Sequence, residues 1–400
     1  MTDFQIGILK LVKSALTGES VSVPEDFDWE EALTTAKKHQ IIPVIYYGAK
    51  YSSLTPPEDI MRILELATFK SVAFSQNQLY ALDCIYKAFD ENGIDYMPLK
   101  GACLKLIYPQ PELRLMGDAD ILIRYEQYGK IRPIMTALGF NEVLESDHEL
   151  VWDKKGILHA ELHKRLIPSY NKDYYKYYGD GWRFARRGNG CRYDMRDEDT
   201  YVYLFTHYAK HYRDGGIGIR HMTDLYVFSD KHPRLDFGYI ERELEKLRLA
   251  EFYKNTEHTL KVWFGGEEPD NMSDRITNTI FGSGSYGTHD THVLSAAVKT
   301  AGEESSENAI RKNLFLNRMF PTCSAMASRY KCLKNHPSLL PLMWAVRFLQ
   351  IPFRRGSIRR NVDLAKIAEP DKVIAYRKEL EAVGLKFDFK ETSYEKSREK

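Results

Sequence analysis

The alternation of apolar and polar positions predicts long helices through much of the chain. Between residues 60 and 91 the apolar side chains recur at intervals of three and four, which is the period of one face of an α-helix. They are Ile63, Leu66, Ala67, Val72, Leu79, Leu82, Ile85 and Phe89. The run predicts one long helix or two stacked helices, ending at Asn92-Gly93, a pair typical of a helix C-terminus.

Residues 94–162 carry a different pattern, in which short apolar runs suited to strands alternate with helical stretches. The predicted strands are 94–99, 118–124, 140–144, 149–152 and 157–162, and the predicted helices between them are 100–108 and 126–138. A turn is predicted at Lys154-Lys155-Gly156, before the last of these strands. This order of elements predicts a small mixed α/β domain.

The pattern divides the chain into three predicted parts and predicts an α+β protein. Residues 1–74 form an N-terminal helical segment, and residues 75–185 form the mixed core. Residues 186–400 form a mostly helical C-terminal domain, with one helix predicted over residues 237–264 and a charged tail from residue 391.

Composition narrows the classes of function without naming one. Apolar residues make up 43% and charged residues 28% of the chain, so a large core is expected rather than disorder. The net charge of +1 supplies no bulk field for nucleic acid or membrane, so any such binding requires a local patch. Five cysteines without a CxxC pair, and the absence of a long apolar run, predict a soluble cytoplasmic protein with no membrane partner.

Two aspartates at the start of a predicted strand are the first candidate for chemistry. Side chains alternate across a strand, so Asp118 and Asp120 point to the same face. Two carboxylates on one face repel each other, and a divalent cation relieves that repulsion. Oxygen ligands suit Mg²⁺, which is commonly held by carboxylates together with substrate phosphates. A surface turn with two solvated aspartates is the alternative.

A later predicted strand carries a second polar face. Alternation places His159, Glu161 and His163 on the same side. The three side chains fit a transition-metal site such as that of a zinc hydrolase. Alternatively, Glu161 adds a third carboxylate to Asp118 and Asp120, or the strand is a solvent-facing edge.

Taken together, these motifs resemble a known family. Leu99-Lys100-Gly101, Arg114-x-x-Gly117-Asp118-x-Asp120 and Glu161-x-His163 are similar to the bacterial uncharacterised nucleotidyltransferases of the polymerase-β superfamily. Similarity extends into the helical half, through His207-x-x-Lys210-His211, Gly218-Ile219-Arg220, Asp224, Phe320-Pro321, Leu340-Pro341, Trp344 and Arg347. The interval between Gly101 and Asp118 is longer than in the better-studied transferases of that superfamily.

The resemblance implies an enzyme that transfers NMP from an NTP, such as ATP, to a hydroxyl group. Asp118, Asp120 and Glu161 would hold two Mg²⁺ ions, with Glu161 completing one ion site or acting as a base. The triphosphate would meet four residues, namely Lys100, Gly101, Arg114 and Gly117. The acceptor would be a small molecule, a tRNA or other RNA, or a protein. The rival interpretation is a nucleotide-binding or scaffolding module that keeps the fold without catalysis.

Several further residues have open roles. His163, His207, Lys210, His211 and Arg220 could line an acceptor cleft, and His207 and His211 share a helix face. An internal salt bridge is the favoured interpretation of Arg220 and Asp224. The glycine-rich segment 282–287 is expected to be a plain loop or a lid, and the basic cluster at 354–360 a solvated helix end or an RNA contact.

Overall fold

The computed structural model describes residues 1–146, 148–169, 171–302, 306–327, 330–350 and 366–387. Two predicted features, the basic cluster at 354–360 and the charged tail from residue 391, lie outside these residues. The chain divides into two compact units, Met1–Lys210 with Ile217–Tyr286, and His211–Gly216 with Gly287–Lys400. The predicted domain boundaries at residues 74 and 185 stay a prediction.

Helices, one five-stranded mixed sheet and a two-stranded antiparallel sheet make up the described residues. The helices are α1 Asp3–Thr17, α2 Trp29–His39, α3 Ile42–Lys50, α4 Glu58–Glu91, α5 Gly101–Leu104, α6 Tyr128–Ala137, α7 Lys172–Tyr178, α8 Asp197–Asp214, α9 Ile219–Lys231, α10 Phe237–Lys246, α11 Ala250–Leu260, α12 Asn271–Ser283, α13 His289–Ala301, α14 Glu307–Met319, α15 Cys323–Ala327, α16 Leu340–Gln350 and α17 Pro370–Ala382. The strands are β1 Tyr96–Pro98, β2 Ala119–Ile123, β3 Asn141–Glu145, β4 Glu149–Lys154, β5 Leu158–His163, β6 Ala185–Arg187 and β7 Tyr193–Met195. The predicted α+β class is confirmed.

The long apolar repeat forms a single helix rather than two. Helix α4 runs for 34 residues, and its buried side chains include Leu64, Leu82, Ile85 and Phe89. Gly93 follows its end with a φ of 64°, a conformation that glycine adopts without a steric penalty.

Five strands form the sheet that positions the site. Their order is β1-β2-β5-β4-β3, and β2 and β5 are parallel while the other neighbours are antiparallel. All five residues of β2 are buried, as expected for a central strand. Ile121, Ile123 and Leu162 belong to one core cluster with Ile85 and Phe89 of α4, so this helix covers the sheet.

Two predicted helices end earlier than their apolar spacing suggests. The helix predicted at 100–108 is regular only over α5, and the helix predicted at 237–264 is interrupted between α10 and α11. Arg248 at this interruption has a φ of 58°, yet Leu247 and Leu249 on either side are both buried. The apolar pattern therefore continues through the interruption and conceals it.

The second unit has a small core of its own. Ala297, Val298, Ile310 and Val373 are buried together and join α13, α14 and α17. None of the helices in the described residues is long and apolar enough to cross a membrane.

His39 joins three segments of the first unit. It is fully buried, its Nε2 lies 3.2 Å from the carbonyl oxygen of Phe281, and its Nδ1 accepts from the backbone N–H of Ile219 at 3.4 Å. A neutral imidazole protonated at Nε2 satisfies both contacts. Burial lowers the pKa of His39 from 6.5 to about 4.

We expect the free energy of unfolding to fall as the pH drops from 6.5 towards 4. In this range His39 takes up a proton in the unfolded chain but not in the folded protein, which favours the unfolded state. A folded-state pKa below the unfolded value gives stability that is fully present above pH 6.5 and is lost on acidification. The difference between the two values limits the loss to about 3 kcal/mol. Urea denaturation across this pH range measures it.

A His39→Gln variant should lose this component of the pH dependence, whereas His159→Gln, at a half-exposed position, should keep it. Identical pH profiles for the parent protein and His39→Gln would contradict the assignment.

Candidate functional site

The sheet register brings two acidic residues of distant sequence together. Strands β2 and β5 pair in parallel, with Asp120 directly opposite Glu161 and Leu122 opposite His163. Side chains directly opposite each other on neighbouring strands lie on the same face of a sheet. Asp120 and Glu161 therefore meet on one face, and the role of Glu161 as a third metal-binding carboxylate stays a prediction.

Asp120 is held by hydrogen bonds from two side chains. Its Oδ1 accepts from Lys100 Nζ at 2.6 Å and from His163 Nε2 at 2.6 Å, and only 4% of the residue is exposed. Burial alone would raise the pKa of Asp120, but Lys100 and His163 outweigh it and hold the pKa well below its usual range. Asp120 is thus a carboxylate at neutral pH.

Asp118 lies just before β2, at the exposed edge of the site. Crowding of the protein around its carboxyl group, followed by the charges of Asp120 and Glu161, raises its pKa. The effect of these charges shows that three acidic groups share one electrostatic neighbourhood. A cation bound among them would relieve their repulsion.

His163 links these carboxylates to a second polar pair. Its Nε2 lies 3.5 Å from Glu161 Oε2, and its Nδ1 lies 3.1 Å from His148 Nε2 and 3.9 Å from Glu149 Oε2. Burial opposes charge on the ring, but hydrogen bonds to Asp120 and Glu161 raise the pKa of His163. Burial, followed by the nearby charges of His163 and Lys100, lowers the pKa of His148 to about 3.

Sequence reasoning missed His148 and Glu149, although part of the signal was present. The predicted turn at 154–156 implies an antiparallel hairpin, in which counting outward pairs residue 149 with residue 161. In the structure Lys154 pairs with Leu158, so the register is shifted by two residues and Glu149 lies opposite His163. In contrast, His159 lies at the other end of β5, with Nδ1 3.5 Å from Asp153 Oδ1. The predicted group of His159, Glu161 and His163 is therefore not assembled.

Lys100 has an unusual backbone conformation. Its φ of 40° and ψ of −117° lie in a region that glycine occupies far more readily than lysine. Burial would lower its pKa, but the adjacent Asp120 outweighs this and raises it. The structure thus assigns the Lys100 ammonium to Asp120, and its predicted contact with phosphate stays a prediction.

Arg114 points into a buried ion pair. Its Nε and Nη2 donate to the two oxygens of Asp224 at 3.2 and 3.0 Å, and Tyr108 Oη also donates to Asp224 at 2.7 Å. The prediction of a salt bridge between Arg220 and Asp224 is therefore wrong, because Asp224 forms its salt bridge with Arg114. In the structure the Arg114 guanidinium binds Asp224, and a contact between Arg114 and phosphate stays a prediction.

Gly101 leaves room for the Arg114 guanidinium. A Cβ at position 101 would lie 2.5 Å from Arg114 Nη1 and 3.0 Å from Met116 Cγ. The structure therefore supplies a packing reason for this glycine, beside its predicted approach to phosphate.

We expect Gly101→Ala to lower the free energy of unfolding by about 1–3 kcal/mol, because Arg114 is fixed by Asp224 and cannot yield. The matched control is Gly129→Ala in α6, where a Cβ would meet nothing within 4 Å. Urea denaturation of both variants measures the difference. An unchanged stability together with a raised KM for NTP would instead favour the phosphate role.

Arg220 and Tyr286 lie beside the residues that precede β2. Arg220 donates from Nη1 to the carbonyl oxygen of Leu115 at 3.0 Å, and its charge acts on Asp118. A Cβ at Gly117 would lie 3.2 Å from the Tyr286 hydroxyl. Tyr286 of the glycine-rich segment 282–287 thus lies close to Gly117, which is predicted to bind the nucleotide.

The remaining cleft candidates all lie on α8. His207 and Lys210 belong to the first compact unit and His211 to the second. His207 stacks near His221, with the ring centroids 6.2 Å apart. The role of α8 in an acceptor cleft stays a prediction.

Comparison with known proteins decides the family. The family model described as "Uncharacterised nucleotidyltransferase" matches residues 25–265, which is more than half of the chain. The chain belongs to this family. The resemblance noted in the motifs is therefore confirmed, and the mixed sheet with flanking helices is that of a nucleotidyltransferase-fold protein.

One solved structure is similar to this nucleotidyltransferase family member. It is the solution structure of the antibiotic-resistance factor ANT(2'')-Ia, with 15% sequence identity and a TM-score of 0.31. The similarity covers 46% of this chain and 97% of that chain. No curated protein matches the sequence.

Proposed function

We propose that this protein transfers NMP from an NTP to an acceptor hydroxyl with the help of Mg²⁺. The observation that carries the proposal is the meeting of Asp120 and Glu161 in register on parallel strands, with Asp118 in the same electrostatic neighbourhood. Asp120 and Glu161 have oxygens close enough to share one cation, and carboxylate oxygens suit cations that bind triphosphates.

The residues present fit such a cation. The donor set consists of carboxylate oxygens, which Mg²⁺ prefers. Lys100 and His163 both donate to Oδ1 of Asp120, so in the described contacts Oδ2 remains for another partner. Asp118 and Glu161 would complete the set. Bound there, Mg²⁺ would neutralise charge on the triphosphate and on the leaving pyrophosphate.

The protein's own groups would orient the reaction. The bond between the acceptor oxygen and the α-phosphorus forms, the bond to the β-phosphate oxygen breaks, and pyrophosphate leaves. Glu161, only partly buried, would receive the acceptor proton. Lys100 and His163 would keep Asp120 ionised and fixed in orientation.

The test is label transfer from each of the four α-³²P-labelled NTPs with Mg²⁺, in extract from the host cell. Separation into protein, RNA and small-molecule fractions then identifies the acceptor class. Label in one fraction that disappears with Glu161→Gln supports the proposal. Transfer that persists in Glu161→Gln contradicts the assigned site.

The rival is a nucleotide-binding or scaffolding module that does not catalyse. The clustered carboxylates disfavour it, since binding alone does not require three of them. NTP binding by calorimetry, with no label in any fraction, would favour this module.

A further inference from the structure

A second group of ligand-type side chains lies beside the proposed catalytic carboxylates. It consists of His148, Glu149 and His163, where β4 begins and β5 ends. His148 Nε2 and His163 Nδ1 are 3.1 Å apart, and Glu149 Oε2 is 3.9 Å from each of them. Three possible metal ligands thus form a compact triangle.

The size of this triangle fits a transition metal. Tetrahedral zinc with bonds of about 2.0–2.1 Å keeps its nitrogen and oxygen ligands roughly 3.3 Å apart. One of the three distances between ligand atoms is shorter than this value and two are longer, so small side-chain movements would allow all three atoms to bind one ion. Two imidazoles and one carboxylate are typical of zinc or iron sites and do not suit Mg²⁺.

The other nitrogen of His163 has the partner that such sites commonly provide. A histidine that binds metal through one ring nitrogen usually donates its other N–H to a carboxylate, which fixes the ring. His163 Nε2 contacts Asp120 Oδ1 at 2.6 Å, and Asp120 is itself fixed by Lys100. This hydrogen bond leaves Nδ1 facing His148.

His148 is also suited to metal binding. Its Nε2 lies 3.1 Å from His163 Nδ1, and its Nδ1 is buried without a hydrogen-bond partner among the described residues. Lys100, Lys210 and Arg165 place positive charge near His148 and oppose a cation. Glu149, Asp120 and Glu161 supply the opposing negative charge.

We propose that His148, Glu149 and His163 form a transition-metal site that takes Zn²⁺, distinct from the carboxylate group of Asp118, Asp120 and Glu161. Three protein ligands leave the fourth tetrahedral position to water. Metal on Nδ1 would hold His163 as a positioning residue that donates from Nε2 to Asp120. The site stands on its own geometry and does not require the proposed function.

The test is Zn²⁺ binding by the chelator-treated full-length protein, measured by calorimetry and by metal analysis after dialysis. We expect one equivalent of Zn²⁺ that millimolar Mg²⁺ does not displace. His148→Ala and the conservative Glu149→Gln should each weaken Zn²⁺ binding. For His148→Ala we expect a loss of at least about 100-fold, because losing even a residue that only hydrogen-bonds to a metal ligand costs up to about that much affinity.

Two variants serve as controls. His159→Ala removes the histidine that faces Asp153 on the same hairpin, and Asp118→Asn alters only the carboxylate group. Both should bind Zn²⁺ like the parent protein. Circular dichroism and thermal melting establish that every variant is folded.

Spectroscopy identifies the ligands directly. Co²⁺ should give the visible absorption of a four-coordinate site in the parent protein and lose it in His148→Ala. In ¹⁵N-histidine spectra, Zn²⁺ should shift two ring nitrogens, one from each histidine, and leave the other nitrogen of His163 protonated. A hydrogen bond between the two rings alone would give neither signal.

Three results would overturn the proposal. The first is the absence of stoichiometric Zn²⁺ binding, and the second is binding that survives both His148→Ala and Glu149→Gln. The third is loss of Zn²⁺ in Asp118→Asn, which would place the ion among the catalytic carboxylates. Zn²⁺ binding without nucleotidyl transfer would leave the metal site supported and the proposed function refuted.

Discussion

Replacing Asp118 by asparagine should abolish most nucleotidyl transfer without unfolding the protein. Loss of one carboxylate from a cation site removes several kcal/mol of transition-state stabilisation, which corresponds to a fall in rate of about 10³-fold. The free energy of unfolding should stay level or rise slightly, because Asp118 is exposed and its pKa is raised by crowding and by neighbouring carboxylates. Single-turnover label transfer and urea denaturation measure the two effects.

Comparison of Asp118→Asn with Asp120→Asn separates the effect on catalysis from the effect on stability. Asp120→Asn should lose activity to a similar extent, but it also leaves Lys100 and His163 without their shared carboxylate, so the fold should weaken. Asp153→Asn, at a half-exposed position on β4, is the matched control and should alter neither quantity. Transfer by Asp118→Asn within tenfold of the parent rate would rule out the assigned cation site.

The Arg114–Asp224 pair carries the largest expected effect on stability. Asp224→Asn should lower the free energy of unfolding by about 3–5 kcal/mol, because it leaves a buried guanidinium without a counter-charge. The side chains of Arg114 and Asp224 are only 8% and 7% exposed. Arg220 lies near enough for its charge to act on the same group, which adds repulsion once the carboxylate is gone. Urea denaturation measures the loss.

A surface pair of the same geometry provides the control. Arg132 binds both oxygens of Glu142 at 2.8 Å, but 55% of its side chain is exposed. Glu142→Gln should leave stability within experimental error, because water screens exposed pairs. Replacing Arg114 and Asp224 together by leucine should recover part of the loss. A stable Arg114→Met variant with a raised KM for NTP would instead identify Arg114 as a phosphate ligand.

The sequence by itself determined the local features of this protein. Apolar spacing predicted a helical run over residues 60–91 and the succession of strands along the chain, since both depend on the pattern of side chains within one segment. The same alternation placed Asp118, Asp120 and Glu161 among the candidate carboxylates. The motifs around Lys100, Asp118 and Glu161, together with those of the helical half, indicated the family that the match over residues 25–265 confirms.

Only the tertiary structure decided which polar groups meet. Asp224 pairs with Arg114, which lies 110 positions away in the sequence. No local pattern shows that Asp224 pairs with Arg114 rather than with Arg220, one helical turn before it. The pairing of Lys100 with Asp120 depends on an unusual backbone conformation that lysine seldom adopts. His148 reaches His163 only because the β4–β5 register brings the two strand ends together. Such contacts depend on long-range register and burial, so composition and spacing alone do not reveal them.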